Sequence, residues 1–225
     1  MKFPSFTLQR MCLLAAALFS MTGQASVVIS GTRVIYPADA NEVSIKINNG
    51  GPSPVLLQSW IDNGDVNAKP SAIKVPNRVE PGKGQTLRIS YTGDTLPSDR
   101  ESVFWLNVLE VPAKSQAKSE ENRLQMAFRS RIKLFYRPAG LEGNANDAAN
   151  AITWNAQGNR LQATNPTPYY VSLVNITVKG KKSDYAMLAP RSSMVLELPA
   201  SVGNKISGSF VNDYGAVHAF ESVVK

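Results

Sequence analysis

The chain has 225 residues, 43% of them hydrophobic, with a formal net charge of +7; that is length for one large or two small domains. So modest a positive excess does not point to nucleic acid. Cys12 and His218 are the only cysteine and histidine, which excludes Cys/His zinc sites and leaves a single imidazole for any Ser/His/Asp arrangement.

Lys2 and Arg10 form a positive n-region, Met11 to Phe19 an apolar h-region, and Gly23-Gln24-Ala25 a small-residue cleavage site. Residues 1–25 therefore read as a secretory signal peptide cut between Ala25 and Ser26. The apolar run is well short of the roughly 20 residues that span a bilayer. Gln9-Arg10-Met11 ahead of Cys12 does not resemble a lipid-attachment signal. Cleavage takes Cys12, Lys2 and Arg10 with it. It leaves a charge of +5 and a soluble, exported protein with neither disulfide nor thiol nucleophile. Later segments are too short or too polar to insert in a membrane.

From Ser26 onward, short alternating runs separated by Gly, Pro, Asn and Asp predict strands at 27–36, 43–49, 55–62, 87–92 and 102–111. Pro37-Ala38-Asp39, Asn49-Gly50-Gly51-Pro52, Asn63-Gly64-Asp65 and Glu80-Pro81-Gly82 supply the turns. Trp60, Trp105 and Trp154 fall in predicted strands and are expected in cores.

A longer strand follows over Arg123 to Pro138. Alternation puts Leu124, Met126, Phe128, Ser130, Ile132, Leu134 and Tyr136 on one face. Arg123, Arg129, Arg131, Lys133 and Arg137 lie on the other. Typical strands run about 5–6 residues, so one domain's core covers only part of this one. Two readings stand: a long core strand, or an apolar row awaiting a partner. The cationic strip likewise suits an apolar, anionic ligand or an edge kept soluble by its charges. About seven strands at this spacing describe an immunoglobulin-like sandwich.

The pattern breaks at Arg137-Pro138-Ala139-Gly140, and an Ala/Asn-rich segment runs to Asn150. Strands resume at Ile152-Thr153-Trp154, followed by 161–163, 169–178, 193–198, 205–212 and 217–224. The all-β expectation is two immunoglobulin-like sandwiches, 26–143 and 144–225, in a boomerang arrangement with a cleft between them.

Several motifs together resemble the PapD-like periplasmic chaperones of the chaperone–usher pathway, which assemble pili. They are Thr32-Arg33, Pro97 to Asn107 (PSDRESVFWLN), Ile132 to Pro138 (IKLFYRP), Asn165 to Tyr170 (NPTPYY) and Asn212 to Gly215 (NDYG). The resemblance covers essentially the whole mature chain. It implies donor-strand complementation, in which a chaperone strand fills the groove of a subunit sandwich lacking its last strand.

On matching positions, the resemblance makes Leu124, Met126 and Phe128 the donor side chains. Arg33 and Lys133 become the anchor for the subunit's C-terminal carboxylate. Glu101, Arg137 and Asp213 become a charged group holding the domains at a fixed angle. The implied partners are pilus (fimbrial) subunits and the outer-membrane usher, in the periplasm, with no catalytic residues, metal or other cofactor. A short loop, Pro112 to Asn122, without a cysteine pair resembles the subfamily serving rigid, rod-like pili. Two departures are a single proline near Val75-Pro76-Asn77 and Met126 where a β-branched residue is usual. Free protein is expected to self-associate through an uncovered donor strand. The competing function is a secreted two-domain adhesin or ligand-binding module.

Overall fold

The computed structural model describes residues 27–65, 77–112 and 126–225. The expected signal peptide, Leu124 and nearly all of the Pro112–Asn122 loop lie outside them. The first sandwich packs two sheets. One comprises β1 (Val27–Ile29), β3 (Val43–Asn49) and β6 (Gly84–Ile89), in the order β1-β3-β6. The other comprises β2 (Arg33–Pro37), β4 (Val55–Asp62), β5 (Asn77–Val79), β7 (Ser102–Pro112) and β8 (Phe128–Arg137), in the order β2-β8-β7-β4-β5. Among the described residues only the β2–β8 ladder is parallel. Ile45, Ile47, Leu57, Leu87, Leu106, Val108 and Leu134 fill the space between the sheets, as strict alternation along each strand requires.

The second sandwich has one sheet of β9 (Thr153–Gln157), β10 (Arg160–Asn165) and β13 (Ser192–Pro199), in the order β13-β10-β9. Its other sheet is β11 (Val171–Val178), β12 (Lys181–Leu188), β14 (Lys205–Val211) and β15 (Val217–Val223), in the order β12-β11-β14-β15. Trp154 stacks on Phe220 within a core of Leu161, Leu173, Ile176, Leu188 and Ile206. No described strand pairs across the two sandwiches. The Ala/Asn-rich segment between them contains a 3-10 turn at Ala148–Ala151.

Four expectations change. The strand expected over 27–36 divides at Ser30-Gly31-Thr32, because its halves pair with β3 in one sheet and β8 in the other. β5 and β12 were not expected. β12 is a polar edge strand, and it is joined to β11 by a two-residue turn. Lys179 and Gly180 there have φ of 49° and 74°, the positive pair a right-twisted hairpin needs. The long strand begins at Phe128 among the described residues, not at Arg123. Of the three tryptophans, Trp154 alone belongs to a core; Trp105 lies on the face of its sheet that carries Arg131 and Lys133, and Trp60 is half-buried outside both clusters.

Candidate functional site

β8 shows three environments along its length. Leu134, with Ile132 and Tyr136 packed beside it, belongs to the first core. On the same face but nearer the strand's start, Phe128 is 57% exposed, and Met126 just before it 53%. The β2 ladder runs only from Lys133 to Arg137, whereas β7 pairs β8 from Phe128 to Tyr136. Between Phe128 and Ile132, therefore, no described strand lies on the outer edge of β8. An apolar row thus coincides with an open hydrogen-bonding edge, the combination that accepts an added strand.

The opposite face of β8 looks toward the second sandwich. Lys133 Nζ donates to Ser172 Oγ at 2.8 Å and lies 4.7 Å from the centre of the Tyr185 ring. Arg33, at the same rung of the β2–β8 ladder, donates from Nη1 to the Val211 carbonyl at 2.8 Å. Its Nε is buried without a hydrogen-bond partner. Burial, reinforced by the charge of Arg33, pushes the Lys133 ammonium down to about 8. Burial also lowers Arg33, against the opposing pull of Asp213. Two desolvated cations side by side favour an anion over further water.

Farther along the same face, Arg131 lies over the Trp105 ring at 4.3 Å and pairs with Asp62 at 2.6 Å. Asn107 Nδ2 donates to the second Asp62 oxygen at 2.7 Å, and Gly64 N–H to the first at 2.8 Å. Burial works against the Asp62 charge, but these donors hold the carboxyl below its ordinary value. This buried network explains why Trp105 leaves the core: it is the platform for a fixed guanidinium.

The junction between the sandwiches is built on Arg137. Its Nε donates to Glu101 Oε1 at 2.6 Å, while Nη1 and Nη2 reach the two Asp213 oxygens at 2.7 and 2.8 Å. Burial opposes the Arg137 charge, yet the Asp213 hydrogen bonds and the Glu101 charge raise its pKa. Glu101 is 3% exposed, and its other oxygen accepts the Tyr170 N–H at 2.7 Å. Its own N–H donates to the Pro168 carbonyl at 2.9 Å.

The turn that presents Pro168 and Tyr170 is stiffened by Asn165. That side chain donates to the Tyr169 and Ala189 carbonyls and accepts from Thr167. Gly215 follows Asp213 at φ 81°, and a Cβ there would run into Thr32 Oγ1. Both of these motifs thus serve the contact between the sandwiches.

The structure brings Arg33 to Lys133, and Glu101 to Arg137 and Asp213, while Leu124 lies outside the described residues. Sequence reasoning missed Ser172, Asp62, Asn107 and the Asp99–Arg191 pair across the junction at 3.1 Å. A lone serine in a second-domain strand carries no signal of its role. Asp62, ending a strand with Asn63-Gly64 behind it, reads as turn chemistry. Among the described residues no His, Cys, Asp or Glu cluster is placed to hold a metal.

Comparison with known proteins agrees with this architecture. Residues 26–142 match the family described as the pili and flagellar-assembly chaperone PapD N-terminal domain. Residues 147–222 match the pili assembly chaperone PapD C-terminal domain. The chaperone protein FimB/FhaD of Bordetella pertussis is 45% identical, over 93% of this chain and 93% of that relative. The probable fimbrial chaperone YadV of Escherichia coli is 44% identical, over 91% and 92%.

The crystal structure of the YadV chaperone superposes with a TM-score of 0.72 at 40% identity, covering 89% of this chain and 100% of that one. A Salmonella enterica structure of SafA pilin in complex with the SafB chaperone gives 0.78 at 30% identity, covering 90% and 98%. These relatives are assembly chaperones, not enzymes. Matched in both of its sandwiches and along nearly all of its length, the chain belongs to the PapD family of pilus assembly chaperones.

Proposed function

We propose that this chain stabilises pilus subunits by lending them a strand and then delivers them to the outer-membrane usher. Met126 and Phe128, with Leu124 before them, are the side chains inserted into the subunit's open groove. Arg33 and Lys133 hold its terminal carboxylate. Glu101, Arg137 and Asp213 fix the angle of the two domains, 26–143 and 144–225, so that the cleft keeps its width. The chain works in the periplasm, where chaperones of this pathway act, and reaches it through a cleaved leader, residues 1–25.

One observation carries the reading: exposed apolar side chains on an open strand edge lead directly into a desolvated pair of cations. Each large apolar side chain fully buried contributes about 1.5–3 kcal/mol. A charge-assisted hydrogen bond contributes about 1.5–3 kcal/mol, and Arg adds the forked geometry a carboxylate accepts. The apolar row therefore supplies most of the affinity, and the cations set register. Register matters because a slip of one residue turns the row to the wrong face. The adhesin alternative draws no support from the relatives named above.

The test is amide hydrogen exchange on a complex isolated from periplasm after co-expression with a fimbrial subunit. Protection should rise at Met126 to Ile132 and leave the outer strands of the second sandwich unchanged. Protection confined to another segment would sink the reading.

A further inference from the structure

Glu110 occupies a position where its neighbours are apolar. Along β7 it follows Leu106 and Val108 on the inward face of the sheet, both buried. Across the sheet it is flanked by Leu57 of β4 and Phe128 of β8. It is 8% exposed, yet its carboxylate forms no hydrogen bond or ion pair among the described residues. Among the described residues, a carboxylate so placed has only its remaining contact with water to satisfy its oxygens.

Directly opposed residues of an antiparallel pair have Cβ atoms about 4.5–5.5 Å apart on one face. Whatever covers the Phe128 ring therefore also seals the Glu110 carboxylate from solvent. An uncompensated buried charge is strongly unfavourable, so a fitting partner brings its own compensation.

We infer that Glu110 selects subunits bearing a lysine or arginine that reaches across Phe128 to its carboxylate. The inference rests on the strand-lending function proposed above. A strand added to the open edge of β8 extends the row Leu57–Glu110–Phe128 by one residue. That residue lies two strand spacings from Glu110, roughly 10 Å. Only the long basic side chains bridge this distance and end in a hydrogen-bond donor, and their cationic heads pass favourably over an aromatic face.

The position in the partner follows from the ladder. β8 runs from Phe128 toward Lys133, so a subunit whose terminal carboxylate sits at Lys133 lies parallel to it. Its basic residue then stands about five places before its carboxyl terminus, since parallel strands pair one to one.

The probe is a fimbrial subunit that co-purifies with the wild-type chain from periplasm. Wild-type and variant chains, distinguished by mass, compete for a limiting amount of it. Glu110→Gln, which keeps the side-chain shape, should lose the competition about tenfold, since a charge-assisted bond becomes a neutral one. Glu110→Lys should lose it entirely. Exchanging the subunit's basic residue near that position for glutamate should restore capture by Glu110→Lys and weaken capture by wild type. Undiminished competition by both variants overturns the inference, as does a loss that no basic-residue exchange reverses. Phe128→Glu is run alongside. If it too competes normally, the strand-lending reading falls; if it fails while the Glu110 variants succeed, only the selection by Glu110 falls.

Discussion

Arg33 and Lys133 face each other at one rung of the parallel β2–β8 ladder, two cations where a sheet ordinarily sets opposite charges. In the free protein each finds only a neutral acceptor, the Val211 carbonyl and Ser172 Oγ. Such a pair adds little to folding and much to anion capture. The two properties should therefore separate on mutation.

Arg33→Ala and Lys133→Ala should each abolish recovery of a chaperone–subunit complex from periplasm. The free variants should stay folded and within about 1 kcal/mol of wild type, because each removes a like-charge repulsion along with a neutral hydrogen bond. Chemical denaturation and co-purification check the two halves independently. Either variant capturing subunit at the wild-type level would dismiss the anchor assignment.

Capture should also respond to pH, with a sign set by Lys133. Its ammonium is held at about 8, against 10.5 ordinarily, chiefly by burial. Below that value the lysine is charged and grips a carboxylate; as pH rises through 8 the grip is lost, and affinity should fall toward pH 9. Folding stability should move the opposite way. Between about 8 and 10.5 the unfolded chain binds more protons at this lysine than the native one, so the lysine's contribution to stability rises with pH. Titrating affinity and denaturation midpoint side by side tests both signs, and Lys133→Arg should flatten the affinity profile.

Phe128→Glu should cost the free protein only about 1 kcal/mol, because the ring is 57% exposed and the new carboxylate meets a like charge across the strand at Glu110. In a complex it buries a second carboxylate directly opposite Glu110, more negative charge than one basic side chain compensates. Complex yield should fall at least tenfold, a change of about 1.4 kcal/mol or more. Met126→Asp provides a second position with the same expectation. Unchanged yield for both would return the apolar row to the status of ordinary surface.

Much of this was legible in the chain because strands write their faces into alternation. Ile132, Leu134 and Tyr136 declared one face of β8 and Lys133 and Arg137 the other, and the structure separates them accordingly. Period alone does not say where a core ends, so it could not show that Leu134 is covered while Phe128 is not. β12 stayed hidden because Lys181, Lys182 and Asp184 suit an edge strand as well as a loop. Trp105 misled for another reason. Aromatic residues in strands usually pack inward, and only the buried Asp62–Arg131 pair, joined from distant parts of the chain, makes an outward ring useful.

The junction offers the largest stability effect. Arg137 is shared by Glu101 and Asp213, and Glu101 is 3% exposed. Arg137→Ala strands a buried carboxylate, a change that typically costs about 3–5 kcal/mol. Asp213→Asn should cost less, because Arg137 keeps Glu101 and the amide can still accept a hydrogen bond. Each domain retains its own core, so the damage should concentrate at the contact between them. Small-angle scattering of Arg137→Ala should then show a broadened distribution of interdomain distances before either core melts. With the cleft no longer fixed, capture should drop even though Arg33, Lys133 and Phe128 are intact. A variant with wild-type scattering, stability and capture would remove Arg137 from any role in setting the angle, and would leave that role to the contacts Glu101 makes with Pro168 and Tyr170 and to the Asp99–Arg191 pair.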